Sequence, residues 1–116
     1  MVLRDYMKHM DGPDPSQALR LLEPDLRFVL ALPSGQVRGS SREDFAAYIA
    51  GRAAAGREHH ILRESVDGDM EFAVGIVTED GETRGTFISV ATVSGAGLMR
   101  RYVSFFDTDL PLVTGP

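Results

Sequence analysis

The sequence contains no cysteine and few positive charges. Without cysteine there is no disulfide framework, thiolate metal site or thiol nucleophile. The formal net charge is −5, and of the twelve lysines and arginines only Lys8 is a lysine. Because the arginines are scattered rather than gathered into a basic stripe, we expect no nucleic-acid partner.

Long apolar runs are absent as well. The first ten residues carry charges at Arg4, Asp5 and Lys8, so they do not form the apolar core of a signal peptide. No run approaches the roughly 20 residues that a membrane-spanning helix needs. We therefore expect a cytoplasmic protein without membrane contact, folded as a single domain over residues 1–116.

The beginning of the chain predicts two helices. Apolar residues recur at helical spacing over residues 2–11, and Gly12-Pro13 ends this first helix. Asp14, with Gln17 three residues later, has the pattern of a capping box at the start of a second helix. That helix should end near Glu23, because a proline follows.

A short strand and a third helix are predicted next. Residues 28–32 form an apolar run, which indicates a buried strand closed by Pro33-Ser34-Gly35. Ser40 with Glu43 repeats the capping pattern, and Gly56 is the expected residue after the end of the third helix. The inward face of this helix should carry Phe45, Tyr48, Ile49 and Ala53.

From His59 onward the pattern alternates with a period of two. Asp67-Gly68 and Asp80-Gly81 are strong hairpin signals, and Ser94 to Gly97 form a looser one. These turns separate four predicted antiparallel strands, at residues 59–66, 69–78, 83–93 and 98–107. Three N-terminal helices packed on a curved antiparallel sheet define an α+β fold.

Three segments together resemble a known family. They are the first helix LRDYMKHM, the step LRFVLALPSGQVRG ahead of SREDFAAYIAGR, and the aromatic last strand LMRRYVSFFD. The pattern resembles the SnoaL-like group of the nuclear transport factor two-like (cystatin-like cone) superfamily. This resemblance covers residues 2–110 and implies a cone with an internal pocket. The superfamily includes ketosteroid isomerases, polyketide cyclases, epoxide hydrolases, dehydratases and pocket proteins without a known reaction.

The catalytic acids of the best-known enzymes in that superfamily are missing from the matching positions. The base of an isomerase would fall near Leu30, and the acid of the hydrolases matches Ser104. The Arg-x-Asp pair of the hydrolases falls near Ala73 and Gly75. Neither of these two specific activities is therefore expected.

The resemblance nevertheless implies a set of pocket residues. Tyr6 and Tyr102 are the candidate hydrogen-bond donors, because a developing oxyanion needs a fixed donor. His60 is the candidate base, because it shares a strand parity with Leu62, and the neighbouring His59 is the alternative. Ligand-binding residues are expected at Phe28, Leu30, Tyr48, Thr86, Ile88, Arg100 and Ser104. Neighbouring histidines on a strand point to opposite faces, so we expect no metal site. The chain has no glycine-rich phosphate loop, and we expect no cofactor.

The outer face of the sheet is too apolar to be left in water. The resemblance places Ala73, Gly75 and Val77 on the pocket side, so the outer face should carry Phe72, Val74, Ile76, Phe87, Ser89 and Ala91. A large apolar patch of this kind usually marks an interaction surface. We therefore expect a homodimer joined through the outer sheet face.

These observations predict a homodimeric pocket protein that binds a small, largely apolar molecule, with isomerase-, cyclase- or hydrolase-like chemistry. The alternative is a non-catalytic binding or structural module whose cone is filled by core side chains. A cavity with converging polar groups would separate the two.

Overall fold

A computed structural model describes residues 1–52 and 56–112 of the chain. Helix α1 spans Val2–Asp11 and buries Leu3, Tyr6, Met7 and Met10 of the predicted apolar stripe, while Val2 is partly buried. A 3-10 helix follows at Pro15–Leu21, and helix α2 spans Arg42–Gly51. In the described ranges no helix is long and apolar enough to cross a membrane.

The second predicted helix is a 3-10 helix rather than an α-helix. Asp14 caps it as predicted, since its side chain accepts a hydrogen bond from the backbone N–H of Ser16. The Gln17 amide donates to the same carboxylate, at 3.1 Å. Hydrogen bonds from Ser16 and Gln17 lower the pKa of Asp14. The helix ends at Leu21, and Pro24 lies in the following strand, where the pairing is irregular.

Helix α2 begins one residue later and ends earlier than predicted. Its N-cap is Ser41, not Ser40, and the Ser41 hydroxyl accepts from the Asp44 backbone N–H at 3.0 Å. The helix ends at Gly51, so Gly56 is not the residue after its end. Ala53, placed on the inward face by the sequence, lies outside the described residues.

Six strands form one sheet in the order β2-β1-β6-β5-β4-β3. The four predicted C-terminal strands are confirmed with small changes of boundary. The strands are β1 Leu22–Leu32, β2 Gly35–Gly39, β3 Arg57–Asp67, β4 Met70–Glu79, β5 Glu82–Val93 and β6 Met99–Asp107.

Two features of the sheet differ from the prediction. Strands β1 and β6 pair in parallel, so the sheet is mixed rather than antiparallel. The β1–β2 hairpin lies between the 3-10 helix and α2, so the helices are interspersed with strands rather than collected at the N-terminus. Strand β2 was not predicted, because Gly35–Gly39 is short and glycine-bounded.

Three bulges bend the sheet around the helices. Each inserts one residue without a partner on the neighbouring strand: Leu62 opposite β4, Arg84 opposite β4 and Arg100 opposite β5. A bulge bends its strand and increases the local twist. It also reverses the parity of the strand beyond it, so the face to which a side chain points changes there.

The core lies between α1, α2 and the concave face of the sheet. Phe45 is fully buried, and its ring packs edge-on against Phe28, Tyr48 and Tyr6 at centroid distances of 4.9, 5.5 and 5.9 Å. Gly39 makes room for this cluster, since a Cβ there would collide with the Phe28 ring.

A buried carboxylate fixes the start of α1 on the sheet. Glu71 of β4 is 8% exposed and accepts hydrogen bonds from the backbone N–H groups of Val2 (3.3 Å) and Leu3 (2.8 Å). These donors have no partner within the helix, and the helix dipole favours negative charge at this end. Glu71 therefore positions α1 over the concave face.

Candidate functional site

A cavity of about 290 Å³ lies between the helices and the concave face of the sheet. This volume is close to the lower end of the roughly 300–1,000 Å³ range of ligand pockets. Its wall is mainly apolar and aromatic, with hydroxyl, imidazole and guanidinium groups. The lining residues are Tyr6, Met10, Leu30, Leu32, Pro33, Ser34, Tyr48, Arg52, Arg57, His59, Val77, Glu79, Arg84, Phe87, Tyr102, Ser104 and Phe106.

Two buried tyrosines face each other in the wall of this cavity. The rings of Tyr6 and Tyr102 meet edge-on, with centroids 5.0 Å apart. Burial raises the pKa of Tyr6 well above its ordinary value, and the neighbouring Tyr102 raises it further. Burial also raises the pKa of Tyr102, against the opposing effect of hydrogen bonds with Ser104, Ser89 and Tyr6. Both hydroxyls therefore remain protonated donors at neutral pH.

The raised pKa values of the two tyrosines predict how the free energy of unfolding changes at alkaline pH. Their pKa values are raised in the folded state, so the unfolded chain loses these protons first, from about pH 10. The stabilisation is complete below that pH and is lost as the pH rises further. Each tyrosine should contribute a slope of up to about 1.4 kcal/mol per pH unit. Urea unfolding between pH 9 and 11 measures the free energy of unfolding, which should decrease less steeply with pH in Tyr6→Phe and in Tyr102→Phe than in the wild type. An equally steep decrease in the variants would contradict this prediction.

Ser104 and Ser89 form a polar pair beside Tyr102. They are direct partners on β6 and β5, and their hydroxyl oxygens lie 3.0 Å apart. Ser89 is completely buried despite its polar side chain. Ser104 lines the cavity, so the pair supplies a hydroxyl to the wall.

His59 lines the cavity and is bound by a carboxylate from α1. Its Nδ1 lies 2.8 Å from Asp11 Oδ1, and its backbone N–H donates to Asp11 Oδ2 at 2.6 Å. A carboxylate can only accept, so Nδ1 donates to Asp11, and in the neutral imidazole Nε2 is then an acceptor. The imidazole packs edge-on against Phe87, with centroids 5.1 Å apart. This arrangement can take up and return a proton.

The carboxylate of Asp11 lies at an electrostatically unfavourable position in α1. It is the last residue of α1, where the helix dipole disfavours negative charge. Its two hydrogen bonds to His59 offset that cost and join residues 48 positions apart in sequence. An acid kept at an unfavourable helix end, holding a histidine in a cavity wall, is a candidate functional feature.

Half of the predicted site residues line the cavity. Those that do are Tyr6, Leu30, Tyr48, Tyr102 and Ser104. Phe28 does not: it is buried in the core against Phe45. The remaining predictions, His60, Thr86, Ile88 and Arg100, are also absent from the cavity wall.

Bulges explain two of these errors. His60 was placed in the pocket because it shares a parity with Leu62, but Leu62 is itself the extra residue of a bulge. His60 pairs with Ile76 of the outer face and so points outward, where its Nε2 lies 2.9 Å from Thr78 Oγ1. Arg100 is the extra residue of the bulge in β6, so it is exposed and Met99 is buried beside it.

The parity predicted for β5 was reversed. Gly75 of the pocket side pairs with Phe87, and Ala73 pairs with Ser89. Partners on neighbouring strands share a face. Phe87, Ser89 and Ala91 therefore face inward, while Thr86 and Ile88 face outward. Both faces of β5 are apolar, so the alternation of its residues could not show which face points inward.

Asp11, Arg52 and Arg57 were not predicted as site residues, and of the two neighbouring histidines His60 was preferred to His59. Asp11 has no sequence signal beyond an acid at a helix end. Arg52 follows the end of α2 and Arg57 begins β3. Only the fold shows that these two arginines line the same cavity. Among the described residues, no three metal-ligating side chains come together.

Comparisons with known proteins identify the fold. No family model and no curated protein matches the sequence. A proposed isomerase of the SnoaL-like family from Agrobacterium tumefaciens has a TM-score of 0.76 at 17% identity, covering 91% of this chain and 94% of its own. A proposed ketosteroid isomerase from Kribbella flavida has a TM-score of 0.75 at 20% identity, covering 98% and 81%.

A proposed polyketide cyclase from Sinorhizobium meliloti is similar as well, with a TM-score of 0.69 at 19% identity and coverage of 89% and 92%. The chain therefore has the fold of the SnoaL-like, NTF2-like proteins, as its sequence predicts. Identities this low establish the architecture alone, because one fold supports many reactions.

Proposed function

We propose that the protein binds a small, largely apolar molecule in its cavity and catalyses a proton transfer on it, as in an isomerisation or cyclisation. The observation that supports this proposal most directly is that His59, in the cavity wall, is hydrogen-bonded to Asp11 of α1. His59 Nε2 acts as the base, and Asp11 orients the ring and stabilises the imidazolium. The hydroxyls of Tyr6 and Tyr102 stabilise the negative charge that develops on the ligand oxygen.

The apolar wall and the neutral hydroxyls support this assignment. Leu30, Val77 and Phe87 offer apolar surface to a ligand, and burial of such surface contributes about 25 cal/mol per Å². Buried hydroxyls that remain protonated can donate to a carbonyl and to the enolate formed from it. The alternative is a non-catalytic protein that binds a ligand in the same cavity. A cone filled by core side chains would not leave a cavity of about 290 Å³.

Two measurements test the proposal together. Native mass spectrometry of protein purified without denaturation should detect a retained small molecule. In D₂O, the protein should then accelerate deuterium incorporation at a carbon of that compound, which NMR detects without knowledge of the product. Binding without exchange would leave a non-catalytic binding protein, and absence of binding would exclude both functions.

We also propose a homodimer joined through the outer sheet face. Phe72, Val74, Ile88 and Val90 lie on this face, and Val103 and Phe105 are 50% and 40% exposed there. This apolar surface supports association with a second copy.

Phe105→Glu should convert the dimer into a monomer, because a buried unpaired carboxylate in the interface is strongly unfavourable. Sedimentation velocity at micromolar concentration measures the change. Val66→Glu is the matched control, since Val66 is 61% exposed at the end of β3 and off the outer face. A wild-type monomer under these conditions would contradict the proposal.

A further inference from the structure

Three arginines and one glutamate line the same cavity as the tyrosines. Arg52 follows the end of α2, Arg57 begins β3 and Arg84 is the bulged residue of β5, while Glu79 ends β4. The chain as a whole carries a net charge of −5. An excess of positive charge at a cavity of an acidic protein needs an explanation.

Arg84 already has partners. Its Nε lies 3.6 Å from Glu79 Oε2, and one of its terminal nitrogens lies 3.4 Å from Glu82 Oε2. Arg57 stands opposite Glu79 in the β3–β4 register. Nevertheless, no ion pair of Arg57 is formed within residues 1–52 and 56–112, and Glu79 pairs with Arg84 instead.

Arg52 is only weakly bound by the protein. A terminal nitrogen of its guanidinium makes a long contact of 3.9 Å to the Met10 sulfur, and its Cζ lies 5.8 Å from the centroid of the Tyr48 ring. Its Nε is buried and has no hydrogen-bond partner among the described residues. A buried N–H without a partner is costly, and the ring beneath the guanidinium restricts its plane.

We infer that Arg52 and Arg57 bind a carboxylate group of the ligand. A guanidinium presents a planar fork of donors that matches a carboxylate, and a carboxylate oxygen would satisfy the buried Nε of Arg52. The ligand is then a small carboxylic acid with an apolar body, whose body lies against Leu30 and Phe87. This inference rests on the proposed function and adds the chemical class of the ligand.

The test compares an acid with its neutral isostere. The full-length protein is titrated with 3-phenylpropanoate and with 3-phenylpropanamide, and binding is followed by calorimetry and by backbone amide NMR. The two probes share the apolar body and differ in charge. The carboxylate should bind roughly ten- to a hundredfold more tightly, as expected for charge-assisted hydrogen bonds.

Arg52→Gln and Arg57→Gln should each reduce this preference by about tenfold or more and leave the affinity for the amide unchanged. The unchanged amide affinity shows that the cavity remains folded. Arg63→Gln is the matched control, because Arg63 is an exposed arginine on the outer side of β3. It should retain the full preference for the acid.

Each other outcome would overturn the inference. Equal affinities for acid and amide would refute carboxylate recognition and leave the proposed binding function intact. A preference that survives both substitutions would show that Arg52 and Arg57 do not provide it. If neither probe binds at millimolar concentration, both the inference and the proposed binding function fail.

Discussion

His59→Gln is expected to slow ligand deuteration by about 10²- to 10⁴-fold, the usual contribution of a general base. Glutamine keeps a polar side chain of similar length at this point of the wall but cannot accept the proton at neutral pH. The exchange rate measured by NMR in D₂O, at saturating ligand, checks the change. Circular dichroism should confirm that the variant is folded.

The neighbouring histidine provides the matched control. His60 lies one residue away on the outer face, so His60→Gln should exchange at the wild-type rate. Asp11→Asn can keep only one of the two hydrogen bonds from His59, because an amide has a single acceptor oxygen, and it removes the charge that stabilises the imidazolium. Its rate should fall and its pH profile should shift, which loss of a purely structural contact would not produce. Wild-type exchange by His59→Gln would refute the assigned base.

Phe45→Ala is expected to lower the free energy of unfolding by about 3–5 kcal/mol, the cost of removing a large buried ring. The ring is completely buried and contacts three other aromatic rings from α1, α2 and β1. Alanine would leave a cavity where the helices meet the sheet. Since a small domain has a total stability of roughly 5–15 kcal/mol, much of it depends on this ring.

Chemical denaturation at 25 °C measures the loss. Val66→Ala removes two methyl groups from an exposed site and should change stability by less than about 0.5 kcal/mol. A loss below 1 kcal/mol for Phe45→Ala would show that the neighbouring rings collapse into the space and that the aromatic cluster is not a rigid support for the cavity.

Local signals allowed most of the architecture to be predicted. Hairpins follow from residues that accept positive φ: Asp80 and Gly81 have φ values of 53° and 84° in a two-residue turn, and Gly68 has φ +60°. This sign pattern is the one favoured by tight hairpins. Helix α1 follows from its apolar stripe. Each of these features is determined by residues close together in sequence.

The features that the sequence could not supply are non-local. The parallel pairing of β1 with β6 joins segments more than 70 residues apart, and no local pattern indicates it. The Asp11–His59 pair is also non-local, because no sequence pattern around either residue indicates its partner. Face assignment failed where a bulge reversed the parity, at Leu62 and Arg100, because an extra residue leaves no mark in an otherwise alternating run.

The bulges also determine how the cavity can change shape over evolution. Each of them is a single residue, so removal of Arg84 or Arg100 would restore regular pairing and flatten one side of the sheet. A substitution alters the lining at one point, whereas a deletion at a bulge alters the curvature of the whole wall. Among proteins of this fold, cavity volume should therefore track one-residue gaps in strand alignments more closely than the identities of the lining residues.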